Sequence, residues 1–143
     1  MNVHNFPNIR ENIKRNIAEI KSIASDPSVL EPPHRKSFDR GVYLFQSITK
    51  SMIDIGNNII IAHGYRTPLN TADVFISLAE HNVISPGVVP GMKKAAITLP
   101  KIKNQPEAEL ITVMTTCVDY FSRCLGAYDM YFKKRVTGDS GGT

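Results

Sequence analysis

The chain of 143 residues and 15.9 kDa has the size of one domain, and its 42% hydrophobic and 21% charged residues are ordinary globular values. This composition excludes wholesale disorder and a collagen-like chain. Polar residues, among them Asp54, Asn57 and Asn58, interrupt the apolar stretches, so none reaches the roughly 18 residues of a membrane span. Residues 1 to 7 lack the basic-then-apolar layout of a secretory signal, and we therefore expect a cytoplasmic protein without membrane contact.

The charge is modestly basic, with 17 Lys and Arg against 13 Asp and Glu and a net charge of +4. Such a surplus suits an anionic partner and is also common on ordinary solvated surfaces. One basic cluster, with no acidic residue inside it, consists of Lys93, Lys94, Lys101 and Lys103. The charge run alone is more typical of a solvated face than of a binding site.

The two cysteines, Cys117 and Cys124, lie in one predicted helix with their backbones about 10 Å apart. A disulfide needs Cα atoms within roughly 7 Å, so this spacing excludes an intrachain bond. We expect both to be small buried residues in a reducing compartment. The four histidines lack the spacing of metal ligands, and we expect neither a metal nor a cofactor.

Apolar residues recur every three or four positions in the first segment, at Ile9, Ile13, Ile17, Ile20 and Ala24. This pattern predicts an amphipathic helix that ends at Ser25. A second helix is predicted from near Ser37 or Asp39 to about Ala62. Its apolar face consists of Phe38, Val42, Phe45, Ile48, Met52, Ile55 and Ile59.

Glycine and proline residues separate the remaining helices. Gly64 is placed to cap the second helix, and Asn70 or Thr71 to cap a short third helix that ends near Ala79. Ser85-Pro86 predicts the start of a fourth helix. Pro100 removes a backbone donor and clashes with the preceding turn, so we expect a kink or break there.

The last helix is predicted from near Glu107 to Lys134. Its apolar face consists of Leu110, Met114, Cys117, Phe121, Leu125, Tyr128 and Phe132. Helices of these lengths with short connections predict an all-α, up-down bundle of four to five helices. We assign residues 1–136 to this helical domain and residues 137–143 to a flexible tail.

Several stretches together resemble the HepT-like branch of the HEPN superfamily. They are Asp39-Arg40-Gly41, Ser51-Met52-Ile53-Asp54-Ile55-Gly56-Asn57, His63-Gly64 with Arg66 and Pro68, and Asp73-Val74-Phe75-Ile76-Ser77-Leu78-Ala79-Glu80. The resemblance spans roughly residues 8 to 135, and its specificity rests on the order and spacing of the stretches.

The resemblance implies a helical bundle that dimerises and is encoded beside a minimal nucleotidyltransferase. In family members that are toxins, it implies metal-independent RNA cleavage by a fourth-helix motif of the form Arg-Asn-x-Leu-Val-His-x-Tyr. A guanidinium stabilises the phosphate charge there, an imidazole moves a proton, and the partner nucleotidyltransferase attaches adenylate to the tyrosine.

This sequence departs from that motif at each reactive position. Counting onward from Gly91, the arginine falls on Leu99, the asparagine on Pro100, the histidine on Asn104 and the tyrosine on Pro106. None of these side chains can neutralise phosphate, exchange a proton near neutral pH or be adenylylated. A shifted motif is excluded because residues 86–110 contain neither Arg nor His.

We therefore expect no catalytic residues and a catalytically degenerate HepT-like protein that binds a partner without cleaving RNA. The candidates for binding a nucleotide or RNA phosphate are Lys94, Lys101, Lys103, Asn104, Asp54 and Asn57. Asp54 and Asn57 equally suit hydrogen bonding within the bundle, a commoner role for polar groups on an apolar helix. His63 is expected to cap the second helix, and Tyr120, Tyr128 and Tyr131 to pack.

Two alternatives remain open on the sequence. One is an active ribonuclease toxin that uses non-standard residues, with Lys101 or Lys103 in place of the arginine. The other is a purely structural interaction module. Under the leading hypothesis the partners are a second copy of the chain, a minimal nucleotidyltransferase, and RNA or a nucleotide.

Overall fold

A computed structural model describes the backbone of residues 5–140 and the side chains of residues 5–135. The described chain forms five α-helices, α1 (Phe6–Ala24), α2 (Arg35–His63), α3 (Asp73–Glu80), α4 (Val89–Thr98) and α5 (Glu107–Ser140). Short 3-10 turns lie at Pro32–His34, Pro86–Val88 and Leu99–Asn104. There is no strand within the described residues, and the predicted all-α class is confirmed.

Most predicted helix boundaries hold, and the exceptions have local causes. The second helix begins at Arg35 rather than near Ser37 or Asp39, because the 3-10 turn that Pro32 opens runs directly into it. At its other end, Gly64 has a φ of 65° in the left-handed region, which confirms its role as the cap.

The third helix begins at Asp73, later than predicted. Its N-cap residue is Ala72 rather than Asn70 or Thr71, so the predicted position of the cap is wrong, although Asn70 Oδ1 accepts the Asp73 N–H at 2.9 Å. Pro86 opens a 3-10 turn, and the α-helical part of the fourth segment starts only at Val89.

The predicted break at Pro100 is confirmed: α4 ends at Thr98 and a 3-10 turn follows. The predicted end of the last helix near Lys134 is wrong, because α5 continues to Ser140. The mobility of the tail at 137–143 stays a prediction, and residues 141–143 lie outside the described residues.

The core lies along the inner face of α5. All seven apolar residues predicted for that face are buried. The helix α1 packs against α2 and α5, α4 packs on α5, and α3 contacts both α2 and α4. Cys117 and Cys124 are buried, free thiols whose pKa burial raises to about 12, which confirms them as core residues.

A close helix crossing sets the position of α3. Gly56 of α2 faces the side chains of Val74 and Leu78 on α3, and a Cβ at this position would lie 2.7 Å and 2.9 Å from them. The hydroxyl of the fully buried Tyr128 on α5 donates to the Met52 carbonyl at 2.8 Å in the same layer. The glycine of the Asp54–Asn57 stretch therefore allows three helices to meet.

No helix in the described part of the chain is long and apolar enough to cross a membrane.

Gly56→Ala is expected to destabilise the protein by about 1–3 kcal/mol, because an added methyl would overpack the crossing of α2, α3 and α5. The matched control is Gly126→Ala in α5, where nothing lies within 4 Å of the added Cβ. That control should be neutral or more stable by up to about 1 kcal/mol through helix propensity. Chemical unfolding of both variants measures the difference, and equal stabilities would contradict the close crossing.

Candidate functional site

The segment where the family motif was expected lies at the end of α4 and in the turn that follows. Leu99 is half-buried, whereas Pro100, Asn104 and Pro106 are exposed. Ile102 is buried and anchors the turn to the core. Because Pro100 cannot continue the helix, this segment is a 3-10 turn rather than part of a long fourth helix.

The basic residues of this region do not converge on one site. Lys101 lines a cleft of about 570 Å³ beside α3 and α4, together with Lys93, which is not among the predicted binding residues. Lys103 lines a separate cleft of about 420 Å³ between the starts of α2 and α5. Lys94 and Asn104 are exposed and belong to the lining of neither cleft.

We call the cleft that holds Lys93 and Lys101 the α3–α4 cleft. Its walls are mainly aliphatic, and they include Leu69, which is 87% exposed, and Ile97, which is 46% exposed. The other apolar lining residues are Ala72, Ile76, Ala96 and Pro100. Neither an aromatic ring nor an arginine belongs to the lining. The cleft therefore combines apolar walls with two lysines and the carboxylate of Asp73.

An ion-pair clamp holds one wall of this cleft. Arg66 donates to both carboxylate oxygens of Asp73, at 2.5 Å and 2.9 Å, and to Glu80 at 3.1 Å and 3.3 Å. Asp73 Oδ2 also accepts the backbone N–H of Leu69 at 2.8 Å. These hydrogen bonds lower the pKa of Asp73 to about 2, with Arg66 the largest cause. The exposed Leu69 is thus presented on a fixed loop.

The candidate residues on α2 lie elsewhere. Asp54 is exposed and Asn57 is half-buried, and neither belongs to the lining of the α3–α4 cleft. The Asn58 side chain donates to the Asp54 carbonyl at 2.9 Å, and Ile55 and Gly56 face the core between them. A binding role for Asp54 and Asn57 stays a prediction.

Sequence analysis missed a cluster of titratable side chains at the C-terminal end of α2. We call it the ring cluster, and it consists of His63, Tyr65, His81, Tyr131 and Arg135. Three rings stack in a column: Tyr65 lies 4.9 Å from His63 at 11° and 3.6 Å from His81 at 7°. Tyr131 meets the His63 ring edge-on at 5.8 Å. One sequence signal could have indicated this cluster. His63 lies at the C-terminal end of the second predicted helix and His81 just after the third.

His63 has two polar neighbours in the ring cluster. Tyr131 Oη lies 2.7 Å from His63 Nε2, and Arg135 Nη1 lies 3.4 Å from the same nitrogen. The tyrosine hydroxyl can donate to an imidazole nitrogen or accept from it, so the tautomer of the ring sets the direction of that hydrogen bond. Burial, and then the charges of Arg135 and His81, lower the pKa of His63.

The ring cluster does not restore the missing motif. The turn at Leu99–Asn104 leads into the start of α5 at Glu107. Arg135 lies roughly 42 Å further along the axis of that helix, at 1.5 Å per residue. The histidine and the arginine therefore meet far from Leu99, Pro100, Asn104 and Pro106.

In the described part of the chain, no three His, Cys, Asp or Glu side chains come close enough together to hold a metal ion. The groups available for binding are the lysines of the α3–α4 cleft and the rings and arginine of the ring cluster.

The architecture is that of solved toxin–antitoxin proteins. A mutant of the toxin–antitoxin MntA–HpeT matches with a TM-score of 0.74 at 22% identity, over 86% of this chain and 95% of the other. A second mutant gives a TM-score of 0.76 at 21% identity, over 86% and 96% of the two chains. A toxin–antitoxin with AMP-PNP gives 0.73 at 22% identity, over 90% and 98%.

These likenesses show that the described chain has the helical-bundle fold of those proteins. The predicted helical bundle is thereby confirmed, and the family resemblance holds at the level of the fold. No protein-family model matches the sequence, and no curated protein matches it.

Stability should fall as the pH drops below about 6.5, and His63 should carry part of that loss. Because the pKa of His63 is lowered in the folded protein, there is a pH range in which His63 is protonated in the unfolded chain and neutral in the folded chain. Acidification therefore favours unfolding, and stability is regained above the ordinary histidine pKa. Thermal unfolding at pH 7.5 and 5.5 should show a smaller loss for His63→Asn than for the unaltered protein. Equal losses in the two proteins would contradict the role of His63.

Proposed function

We propose that this protein is a catalytically degenerate HepT-like toxin–antitoxin protein that binds a partner and does not cleave RNA. The observation that supports the proposal is the occupation of the motif positions by Leu99, Pro100, Asn104 and Pro106 on a 3-10 turn. The solved proteins with this fold are toxin–antitoxin complexes, and one of them contains AMP-PNP. The proposed partner is accordingly a minimal nucleotidyltransferase.

The missing groups argue against cleavage on chemical grounds. RNA cleavage needs a group that transfers protons near neutral pH and a cation fixed against the developing phosphate charge. Lys101 and Lys103 supply charge without a general base, and they line different clefts. Lysine is also a flexible point charge that lacks the bidentate geometry of arginine.

The α3–α4 cleft suits a protein partner better than RNA. Single-stranded RNA is held by rings that stack on bases and by arginine, and the lining of this cleft has neither. An exposed leucine on a fixed loop beside Ile97 is typical of a protein interface instead. Lys93 and Lys101 at the cleft favour an acidic surface with apolar side chains, as charge complementarity requires.

A homodimer is also part of the proposal, as the family resemblance implies. The helical domain is proposed to span residues 1–136.

An active ribonuclease is the alternative that one observation favours, because His63 and Arg135 meet at 3.4 Å in the ring cluster. The same geometry weakens this alternative. The ring of Tyr65 fills the space between His63 and His81, so the two imidazoles cannot act as acid and base on one phosphate. The other alternative, a purely structural interaction module, predicts that the protein binds neither nucleotide nor RNA.

Incubation with total RNA or tRNA should give no specific cleavage, because the chain lacks the reactive groups of the motif. A HepT with the full motif serves as the positive control in the same assay. Specific cleavage that Lys101→Ala or Lys103→Ala abolishes would overturn the non-cleaving proposal. Cleavage that only His63→Ala abolishes would establish the ribonuclease alternative at the ring cluster.

Reversing the two cleft charges should weaken partner binding. We expect Lys93→Glu with Lys101→Glu to reduce the affinity for a minimal nucleotidyltransferase, co-expressed from the neighbouring gene, by at least about tenfold. Lys36→Glu with Lys50→Glu, two exposed positions on α2, changes the net charge equally and should have little effect. Equal binding by both double variants in calorimetry would show that the α3–α4 cleft is not the interface.

A further inference from the structure

The ring cluster is the feature that the proposed function leaves without a role. Its members come from the end of α2, from the connection to α3, from the end of α3 and from α5. His63, His81 and Arg135 are exposed, and Tyr65 and Tyr131 are half-buried. Three parallel rings held in this way form a rigid aromatic surface that solvent reaches.

We propose that the ring cluster is a second binding site, specific for single-stranded nucleic acid and separate from the α3–α4 cleft. The spacing of 3.6 Å between Tyr65 and His81 is close to the rise of stacked bases, about 3.4 Å per nucleotide. A base that stacks on His81 continues the column. Stacking on rings is tolerant of sequence because every base has an aromatic face.

The two ends of the ring column would bind different parts of the strand, His81 a base and Arg135 a phosphate. His81 Nδ1 lies 3.0 Å from the Ser77 carbonyl, a contact that fixes the ring as the end of the stack. At the opposite end, Arg135 stacks over Tyr131 at 5.6 Å and reaches His63. Its guanidinium is the cation that contacts a phosphate of the same strand.

The separation of these two ends defines the length of the ligand. The rings of Tyr65 and His63 lie between the base on His81 and the guanidinium of Arg135. Stacked nucleotides are about 3.4 Å apart, which is about the thickness of one ring. The base on His81 and the phosphate on Arg135, with two rings between them, therefore belong to different nucleotides of the strand. The site therefore takes an oligonucleotide, and a mononucleotide occupies only one end.

The charges around the ring cluster agree with an anionic ligand. Glu80 adjoins His81 in sequence, and Arg66 holds its carboxylate. Asp129 lies two positions before Tyr131 on α5, and it pairs with Arg10 at 2.8 Å and with Lys133 at 3.1 Å. Both of these carboxylates are thus held in ion pairs, whereas the contacts of Arg135 among the described side chains are with the rings of Tyr131 and His63.

The test is binding of hexa-adenylate, as RNA and as DNA, with AMP as the short ligand. Isothermal titration calorimetry measures each affinity at a fixed salt concentration. We expect both hexamers to bind well above AMP, because only a strand spans both ends. A hexamer affinity no greater than that of AMP would overturn the two-ended site.

Two variants separate stacking from charge. His81→Ala should weaken hexamer binding about tenfold and leave its salt dependence unchanged, because it removes a stacking face. Arg135→Gln should reduce the slope of log affinity against log salt by about one, because it removes one phosphate contact. His34→Ala and Arg15→Gln, equivalent changes outside the cluster, are the matched controls, and thermal unfolding verifies that every variant folds.

The failure of this inference is distinguishable from the failure of the proposed function. No saturable binding by the unaltered chain would overturn the nucleic-acid site and leave partner binding unaffected. Hexamer binding that Lys93→Glu with Lys101→Glu abolishes, and His81→Ala does not, would move the strand to the α3–α4 cleft. Equal losses in Arg135→Gln and Arg15→Gln would show attraction by net charge alone.

Discussion

The close crossing of α2, α3 and α5 is the constraint on which both proposed binding surfaces depend. Gly56 leaves room for Val74 and Leu78, and the buried Tyr128 hydroxyl ties α5 to the backbone of α2. This packing fixes the two ends of residues 64–72, the connection between α2 and α3. One part of that connection presents Leu69 to the α3–α4 cleft, and Tyr65 forms the centre of the ring cluster.

The residues at the motif positions determine both the chemistry and the shape of the segment that follows α4. Pro100 cannot donate a backbone hydrogen bond, and the chain leaves the α-helix at Thr98. A guanidinium and an imidazole one helical turn apart need a continuous helix to face the same substrate. Restoring the reactive side chains alone would therefore leave them on a 3-10 turn with different spacing.

The α3–α4 cleft and the ring cluster present different kinds of side chain and therefore suit different ligands. The α3–α4 cleft offers aliphatic walls and two lysines, which are typical of a protein interface with complementary charge. The ring cluster offers stacked rings and one arginine, the groups that hold single strands. A protein that binds both a partner and a nucleic acid would need these surfaces apart.

The sequence by itself determined the helices, their inner faces and which residue types stand at the motif positions. Apolar residues repeat along each helix, and Gly64, Asn70 and Pro100 act through their own backbone and side-chain chemistry. The absence of Arg and His from residues 86–110 is likewise a property of the sequence. Such local rules need no knowledge of which helix packs against which.

Only the tertiary structure decided which charged and aromatic side chains meet. Lys101 and Lys103 are two positions apart, yet they line different clefts because they stand on either side of the buried Ile102. His63 and Tyr131 are 68 positions apart and share a hydrogen bond. Helical periodicity predicts the face on which a residue lies, whereas contacts between helices depend on how their faces pack, and that is a property of the whole bundle.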